Sequence, residues 1–473
     1  MQKISRRQFL KTSAAVAGGL ALSRISWLPP EVARASPMDR ERYELAQRYK
    51  VADPGQPLTV GHITFQLSQE YAMMVYQANE QAAKQLGLRF LGAVAQSDAA
   101  WIQQTQSMIA AGAKIITYNC PSVSVIPQLA RICNENKVFM GTYFGYTNEF
   151  FPGDFGPYWV IDNTPMSDYQ TFFPLAILFQ KMREHNRTKL LHLQASKTNA
   201  TISQVYINLG VLQAWTRYPE MQVLGHQWAE WNYEGGRGAA EAALAVRQDY
   251  EGLWGANDSV TTGAVRAFED RGIQIGPWAA SRDMELTTAQ EILDGNFLVT
   301  AGFAIPYFGG RLVPMLYDMA VGAWYPKEEE MIQTGTIDVY GAPGEVERLV
   351  KNAGLDQHPN LRIGPLKENM EQILMEMKKP NPQYPYDFRL MSYQKTKELG
   401  KAYDRHAGAG TELGSHDFLY PARLEKFGSL AAFKAFVQGL YDYFLDFSID
   451  TWDQAERFIA SLPPEVKIEP IWS

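Results

Sequence analysis

The chain has 473 residues and a formal charge of −7, with 46% hydrophobic and 20% charged residues. That length suggests about three domain-sized units, and the composition supports sizeable cores while excluding bulk disorder. An acidic chain also lacks the basic surface that nucleic-acid binding needs.

The N-terminal stretch reads as an address rather than as part of the fold. "SRRQFLK" (Ser5 to Lys11) is a twin-arginine signature, Ala14 to Leu22 is apolar, and "ARA" (Ala33 to Ala35) has the small residues of a cleavage site. The apolar run falls short of the roughly 20 residues that span a bilayer. No cysteine stands beside the cleavage site to carry a lipid, so the expectation is export to the periplasm as a soluble protein without membrane insertion. Residues 1–35 carry six basic residues against Glu31, so their removal takes the formal charge from −7 to −12.

From Leu58 short apolar runs alternate with amphipathic segments. "LTVGHITFQL" predicts a strand and Tyr71 to Leu86 a helix; "LRFLGAVA" a strand and Ala99 to Ala111 a helix; "AKIITYNC" a strand and Val125 to Asn134 a helix; then "VFMGTYF" a fourth strand. Continuous apolar runs mark parallel strands buried on both faces, and the helices supply the right-handed crossovers of a doubly wound unit. Cys120 ends the third strand and Cys133 lies near the far end of the next helix, which rises about 1.5 Å per residue. A disulfide needs Cα atoms within about 7 Å, so the only two cysteines are expected as buried free thiols.

Gly145 to Asn163 reads as an irregular aromatic stretch, in which Tyr146, Phe150 and Phe151 are expected to pack near a crossing between lobes. The alternation then restarts. "TKLLHLQAS", "MQVLGHQWA", "YEGLWGAN" and "GIQIGPWAAS" predict strands, with helices at about 200–217, 236–248 and 258–271; "NFLVTAGFAI" and "TGTIDVYG" predict later strands. Beyond Gly344 the pattern changes. Met377 to Phe388 is a proline-rich connector, and Ser429 is placed to cap a helix running to about Asp446 with an apolar face. The fold class expected is α/β: two doubly wound parallel-sheet lobes joined by a hinge, plus a mainly helical C-terminal extension.

In open parallel sheets ligands bind beyond the carboxyl ends of the strands. Gln69 and Tyr71, Asn119, Tyr143 and Phe144 hold such positions in the first lobe. Asn199, Trp231, Asn257 with Asp258, and Arg282 with Asp283 hold them in the second. A plain structural role stands beside each: Asn257 and Asp258 can cap the next helix, Asp283 can be a turn residue, and Trp231 can be core. Tyr143 and Phe144 alternate sides along a strand end, so at most one of them faces a ligand directly.

"FQLSQEYAMMVYQANEQAAKQLG", "QSMIAAGAKIITYNCPSVSVIPQLARICNENKVFMGT", "LWGANDSVTTGAVRAFEDRG" and "TTAQEILDGNFLVT" follow one another over about 57–341. In order and spacing they resemble the type I periplasmic solute-binding proteins, the ribose/galactose group of sugar ABC-transporter components. The resemblance implies a two-lobed clamp on a small solute and docking on an ABC permease of the inner membrane. It also implies a first lobe of 57–163 with 304–328, a second of 164–303 with 329–344, and an extension of 345–473 outside the likeness. It makes Asn257 and Asp283 hydroxyl-binding residues, and Trp231 and Tyr71 the aromatics stacked on a sugar face. The departures are Tyr143 and Phe144 where relatives carry an Asp-Arg pair, Val205 near a family arginine, and Phe303 in place of an amide. They imply a cavity less charged and more aromatic than that of a ribose binder, and a solute that is less polar or larger than an ordinary monosaccharide.

Other chemistries find little support. The seven histidines are scattered without metal-ligand spacing. No nucleophile elbow, phosphate loop, dinucleotide fingerprint or iron–sulfur cysteine set is present. "GGRGAAEAAL" reads better as a helix start than as a phosphate cradle. No cofactor, no metal and no catalysis are expected. The rivals are an exported enzyme for a small aromatic or carbohydrate substrate, and a sensing module for a membrane receptor. The extension is expected to pack on one lobe for stability.

Overall fold

The computed structural model describes residues 37–165, 167–195, 202–302, 305–333, 337–358, 361–363, 384, 386–404, 429–444, 457 and 460–461. The signal segment 1–35, Asn199 and Phe303 lie outside the described residues, as does most of the proline-rich connector.

Helix α1 (Pro37–Tyr49) precedes the first alternating unit. This runs β1 (Thr59–Thr64), α2 (Glu70–Leu86), β2 (Arg89–Val94), α3 (Asp98–Ala110), β3 (Ala113–Asn119), α4 (Ile126–Glu135), β4 (Phe139–Tyr143) and β5 (Trp159–Asn163). The second unit runs α5 (Ser167–Glu184), β6 (Lys189–Ala195), α6 (Ile202–Arg217), β7 (Gln222–Ala229), α7 (Tyr233–Val246), β8 (Gly252–Gly255), α8 (Asp258–Glu269), β9 (Ala279–Asp283), α9 (Leu286–Leu293) and β10 (Val299–Gly302). The chain then returns to the first lobe through α10 (Ile305–Gly310) and α11 (Leu312–Ala320), which pack on α2, β3 and β4. After these come β11 (Ile332–Gln333), β12 (Ile337–Gly341), α12 (Glu345–Asn352), β13 (Leu361–Ile363), α13 (Tyr393–Leu399) and α14 (Leu430–Phe444).

The strands form two sheets, six-stranded in the order β11-β5-β4-β3-β1-β2 and seven-stranded in the order β13-β12-β10-β9-β8-β6-β7. Every pairing is parallel except that of β10 with β12. In each lobe the winding reverses beside the first strand of the unit, which opens the crevice where ligands of doubly wound sheets sit.

Four features differ from the expectation. Trp159–Asn163 is a fully buried strand, not irregular chain. Its polar end hid it: Asp162 accepts from the Thr142 hydroxyl at 2.6 Å and from Gly145 N–H at 2.6 Å, so a buried carboxylate has partners that only the fold supplies. Helix α5 carries Pro174 and is buried almost all round, so it offers no polar face to reveal a helical period. The boundary expected at 329 shifts, because Ile332–Gln333 still pair with β5 in the first sheet.

The extension is the fourth. It does not lie on one lobe. Leu361–Ile363 extends the second sheet, and α14 packs on α6. Between them Tyr384 and Tyr386–Phe388 lie along α2, held by a row of glutamines one turn apart. Gln81 Nε2 donates to Tyr384 O at 3.0 Å and Gln85 Nε2 to Tyr386 O at 2.8 Å, while Tyr384 Oη donates to Gln77 Oε1 at 2.8 Å. Helix α14 is capped as expected, with Ala432 N–H donating to Ser429 Oγ at 3.2 Å. Its buried Phe433 meets the rings of Tyr146 at 6.5 Å and Phe151 at 6.0 Å, which stand on the first-lobe connection from β4 to β5.

Helices α7 and α8 cross at close range. A Cβ on Gly236 would come within 2.0 Å of the Val260 carbonyl, and one on Gly263 within 2.0 Å of the Tyr233 carbonyl. Gly236 of "GGRGAAEAAL" therefore serves helix packing. His62 likewise is a core residue: its Nδ1 lies 2.8 Å from Thr117 Oγ1, and burial holds its pKa down to about 3. Among the described residues, no helix is long and apolar enough to cross a membrane.

Candidate functional site

A cavity of about 220 Å³ lies between the two sheets at the carboxyl ends of their strands. The first lobe contributes Phe65, Gln66, Gln69, Tyr71, Cys120 and Phe144. Ser203, Glu230, Trp231, Asn232, Asn257, Arg282 and Asp283 come from the second. Of the positions expected from sequence, Gln69, Tyr71, Phe144, Trp231, Asn257, Arg282 and Asp283 are thus brought together.

Two expected residues stand behind the wall. Asn119 is fully buried; its Oδ1 accepts from Tyr71 Oη at 3.2 Å and its Nδ2 donates to Thr64 Oγ1 at 3.1 Å, so it orients Tyr71. Tyr143 points into the first-lobe core, where its hydroxyl donates to the Gly309 carbonyl and accepts from Asn79 Nδ2 at 3.1 Å. The alternation of side chains along β4 puts the next residue on the opposite side, and Phe144 reaches the cavity. There its ring meets Tyr71 edge-on at 6.3 Å. Val205, near the position of a family arginine, is buried core.

Backbone strain gathers at this wall. Cys120, Phe144 and Asp283 have φ of 52°, 60° and 111°, and Met284 follows at 63°. Left-handed conformations are disfavoured for residues with a Cβ and persist where surrounding structure over-determines them, often at ligand sites. Cys120, expected to be buried, is half-exposed beside the cavity, and burial around its sulfur pushes the thiol up to about 12. Cys133 is buried and free, with Tyr118 Oη 3.3 Å from its sulfur.

The second-lobe wall carries the charge that β4 lacks. Arg282 and Asp283 both line the cavity, at 3% and 6% exposure. Arg282 is held within the protein. Its Nε donates to Ala256 O at 2.8 Å, one terminal nitrogen to Ser167 Oγ at 3.2 Å and Gln170 Oε1 at 3.0 Å, and the other to Ser203 Oγ at 3.2 Å. The guanidinium knits the first turns of α5 and α6 to the end of β8, with Trp231 at 6.0 Å from its carbon. Asp283 is paired only loosely, 3.7 Å from Arg282, and burial pushes its carboxyl up to about 6 against the pull of that arginine. Charge therefore enters from the end of β9 rather than from β4.

Asn257 takes the capping role and keeps an amide group at the cavity wall. Its Oδ1 caps α8 by accepting from Val260 N–H at 2.9 Å, and its buried Nδ2 has no partner among the described residues. Asp258, which can also cap that helix, instead joins strand ends. It accepts from the hydroxyls of Ser281 and Thr300, the latter at 2.7 Å, and from Glu285 N–H at 2.6 Å. Burial, reinforced by nearby Asp283, pushes it up to about 7. Sequence reasoning did not single out Phe65, Gln66, Cys120, Ser203, Glu230 and Asn232 as wall residues. A strand-end position marked all but Ser203, which reaches the cavity from the first turn of α6. Among the described residues no group of three or more His, Cys, Asp or Glu side chains is arranged to hold a metal ion.

Comparison with known proteins bears on both ends of this description. The model of the TAT (twin-arginine translocation) pathway signal sequence matches residues 3–23. No curated protein matches the chain. Among solved structures, the periplasmic binding protein component of the arabinose ABC transporter from Shewanella sp. ANA-3, bound to α- and β-L-arabinofuranose, is 20% identical. It covers 63% of this chain and 98% of its own, with a TM-score of 0.52. An ABC transporter periplasmic solute binding protein from Actinobacillus succinogenes 130z with bound D-allose is 16% identical over 62% of this chain and 100% of its own, at 0.55. A twin-arginine translocation pathway signal protein from Burkholderia phytofirmans is 16% identical over 64% of this chain and 95% of its own, at 0.55. At these identities the likeness shows a shared fold of two doubly wound lobes.

Proposed function

We propose that this chain, which has the fold of the type I periplasmic binding proteins, is the substrate-binding component of an ABC transporter. In this reading it is exported by the twin-arginine route, binds a sugar or other small solute in the cleft by hinge closure, and delivers it to an inner-membrane permease without catalysis. The observation that carries the reading is a cavity walled by strand ends of both sheets, with aromatic rings from each lobe and the unpartnered Asn257 Nδ2 between them. Phe144 and Tyr71 from one side and Trp231 from the other suit the apolar faces of a ring. Asp283 offers an acceptor and Asn257 Nδ2 a donor to its hydroxyl rim. Gln69 adds a further amide at the edge, and Asn119 acts by holding Tyr71. A volume of about 220 Å³ suits a single small ring, being below the roughly 300–1,000 Å³ of pockets for larger ligands. Closure follows from differential affinity: a solute that touches both walls binds the closed form better and shifts the hinge equilibrium towards it.

A thermal-shift panel of pentoses, hexoses, their furanose forms and inositol tests this. A ligand present at about 100 times its Kd stabilises the folded state by about 2.7 kcal/mol, so a cognate solute raises the melting temperature by several degrees. Trp231→Ala and Asp283→Asn should abolish that rise. A panel without any stabilising solute would count against the reading.

A further inference from the structure

Beside the cavity the two lobes are bonded directly. Glu70 opens α2 in the first lobe, between the wall residues Gln69 and Tyr71. Its carboxylate accepts from Thr287 N–H at 3.0 Å and from Thr287 Oγ1 at 2.5 Å. Thr287 lies in the first turn of α9 in the second lobe, four residues beyond the wall residue Asp283. That helix lacks a cap of its own, because Glu285 stands at the N-cap position without a side-chain hydrogen bond to the helix. The first turn of a helix leaves N–H groups unpaired and carries partial positive charge. A carboxylate is the group that best satisfies both. Here it arrives from the opposite lobe. Leu286, next in sequence, packs against the first-lobe core.

We propose that Glu70 and Thr287 form a latch that caps α9 across the cleft and biases the protein towards closure, setting solute affinity without touching the solute. The inference rests on reading the cleft as a hinge-closing site. Opening the lobes breaks both hydrogen bonds and leaves the first turn of α9 to water. A solute bound in the closed form therefore leaves only after the latch has opened, and the effect falls on dissociation rather than on encounter.

The test needs no known ligand for its first arm. Small-angle scattering of the ligand-free full chain is compared for wild type, Glu70→Ala, Thr287→Val and the control Glu80→Ala, an exposed site on the same helix. The latch variants should show a larger radius of gyration than wild type and control, with melting temperatures lowered by no more than the few degrees that loss of a helix cap brings. An identical radius in Glu70→Ala and wild type overturns the latch. In the second arm, the dissociation rate of whichever panel monosaccharide stabilises wild type most should rise roughly fivefold in Glu70→Ala, and an unchanged rate overturns it. If the radius grows but no monosaccharide binds, the latch stands and the solute reading fails. If a monosaccharide binds and the variants match wild type, the reverse holds.

Discussion

Arg282 and Asp283 are adjacent, both line the cavity, and both are buried, yet their substitutions should act in opposite directions. Arg282→Gln removes the donors to the Ala256 carbonyl, Gln170 and two serines, and leaves Asp283 without its cation. Breaking a buried, hydrogen-bonded charge in this way costs about 3–5 kcal/mol. For a lobe of 150–250 residues each kcal/mol corresponds to about 2–4 °C, so the melting temperature should fall by roughly 10 °C. Asp283 behaves otherwise. Its carboxyl is pushed from 3.8 up to about 6 by burial. At about 1.4 kcal/mol per pH unit, the ionised form costs the fold roughly 3 kcal/mol above pH 6. The folded-state value is raised, so the protonated acid favours folding, and that advantage is lost as pH climbs from about 4 to 6. Asp283→Asn should therefore be more stable than wild type at pH 7.5, by up to about 3 kcal/mol. The difference should shrink through pH 6 and vanish near pH 4. Urea unfolding of the three proteins at pH 4, 5, 6 and 7.5 measures this. An Asp283→Asn variant less stable than wild type at pH 7.5, or an Arg282→Gln variant within 1 kcal/mol of it, would refute the division between a structural arginine and a strained, solute-facing aspartate.

Asn257 separates in the same manner. Asn257→Ser keeps a capping oxygen and should melt close to wild type while losing solute affinity, whereas Asn257→Ala should also lose about 1 kcal/mol with the cap; denaturation alongside ligand-induced shifts distinguishes them. A chain ending at Asp404 lacks α14 and uncovers the buried surfaces around Phe433, Val437 and Leu440. Its melting temperature should drop by about 10 °C or more, and an unchanged melt would show that α14 contributes little to the second lobe. The Cys120 and Cys133 thiols are each pushed up to about 12 by burial. Neither should react with a disulfide reagent in the native protein at pH 8, and both should react after denaturation; a disulfide in the intact mass would contradict this.

Much of the architecture was written in local pattern. Continuous apolar runs separated by amphipathic segments specify parallel strands and crossover helices, and the topology of such sheets puts ligand-facing residues at the strand ends. That is why Gln69, Tyr71, Phe144, Trp231, Asn257 and Asp283 were identifiable without coordinates. Sequence alone also carries the twin-arginine signal, since that signal is read as linear chain. Tertiary structure decided whatever depended on partners far along the chain. Asp162 makes β5 read as loop until Thr142 and Gly145 donate to its carboxylate, and Pro174 lies inside a continuous helix that is buried almost all round. The opposite facing of Tyr143 and Phe144 depends on strand alternation together with a left-handed backbone at the strand end. Arg282 is a structural tie only because α5, α6 and β8 converge on it, and Glu70 caps a helix some 200 residues away. The return of the extension across both lobes likewise rests on Gln77, Gln81 and Gln85 of α2, whose helical spacing marks one face without recording what covers it. Local pattern records how a segment folds against water; it does not record which distant group satisfies a buried charge, an orphan amide or a helix end.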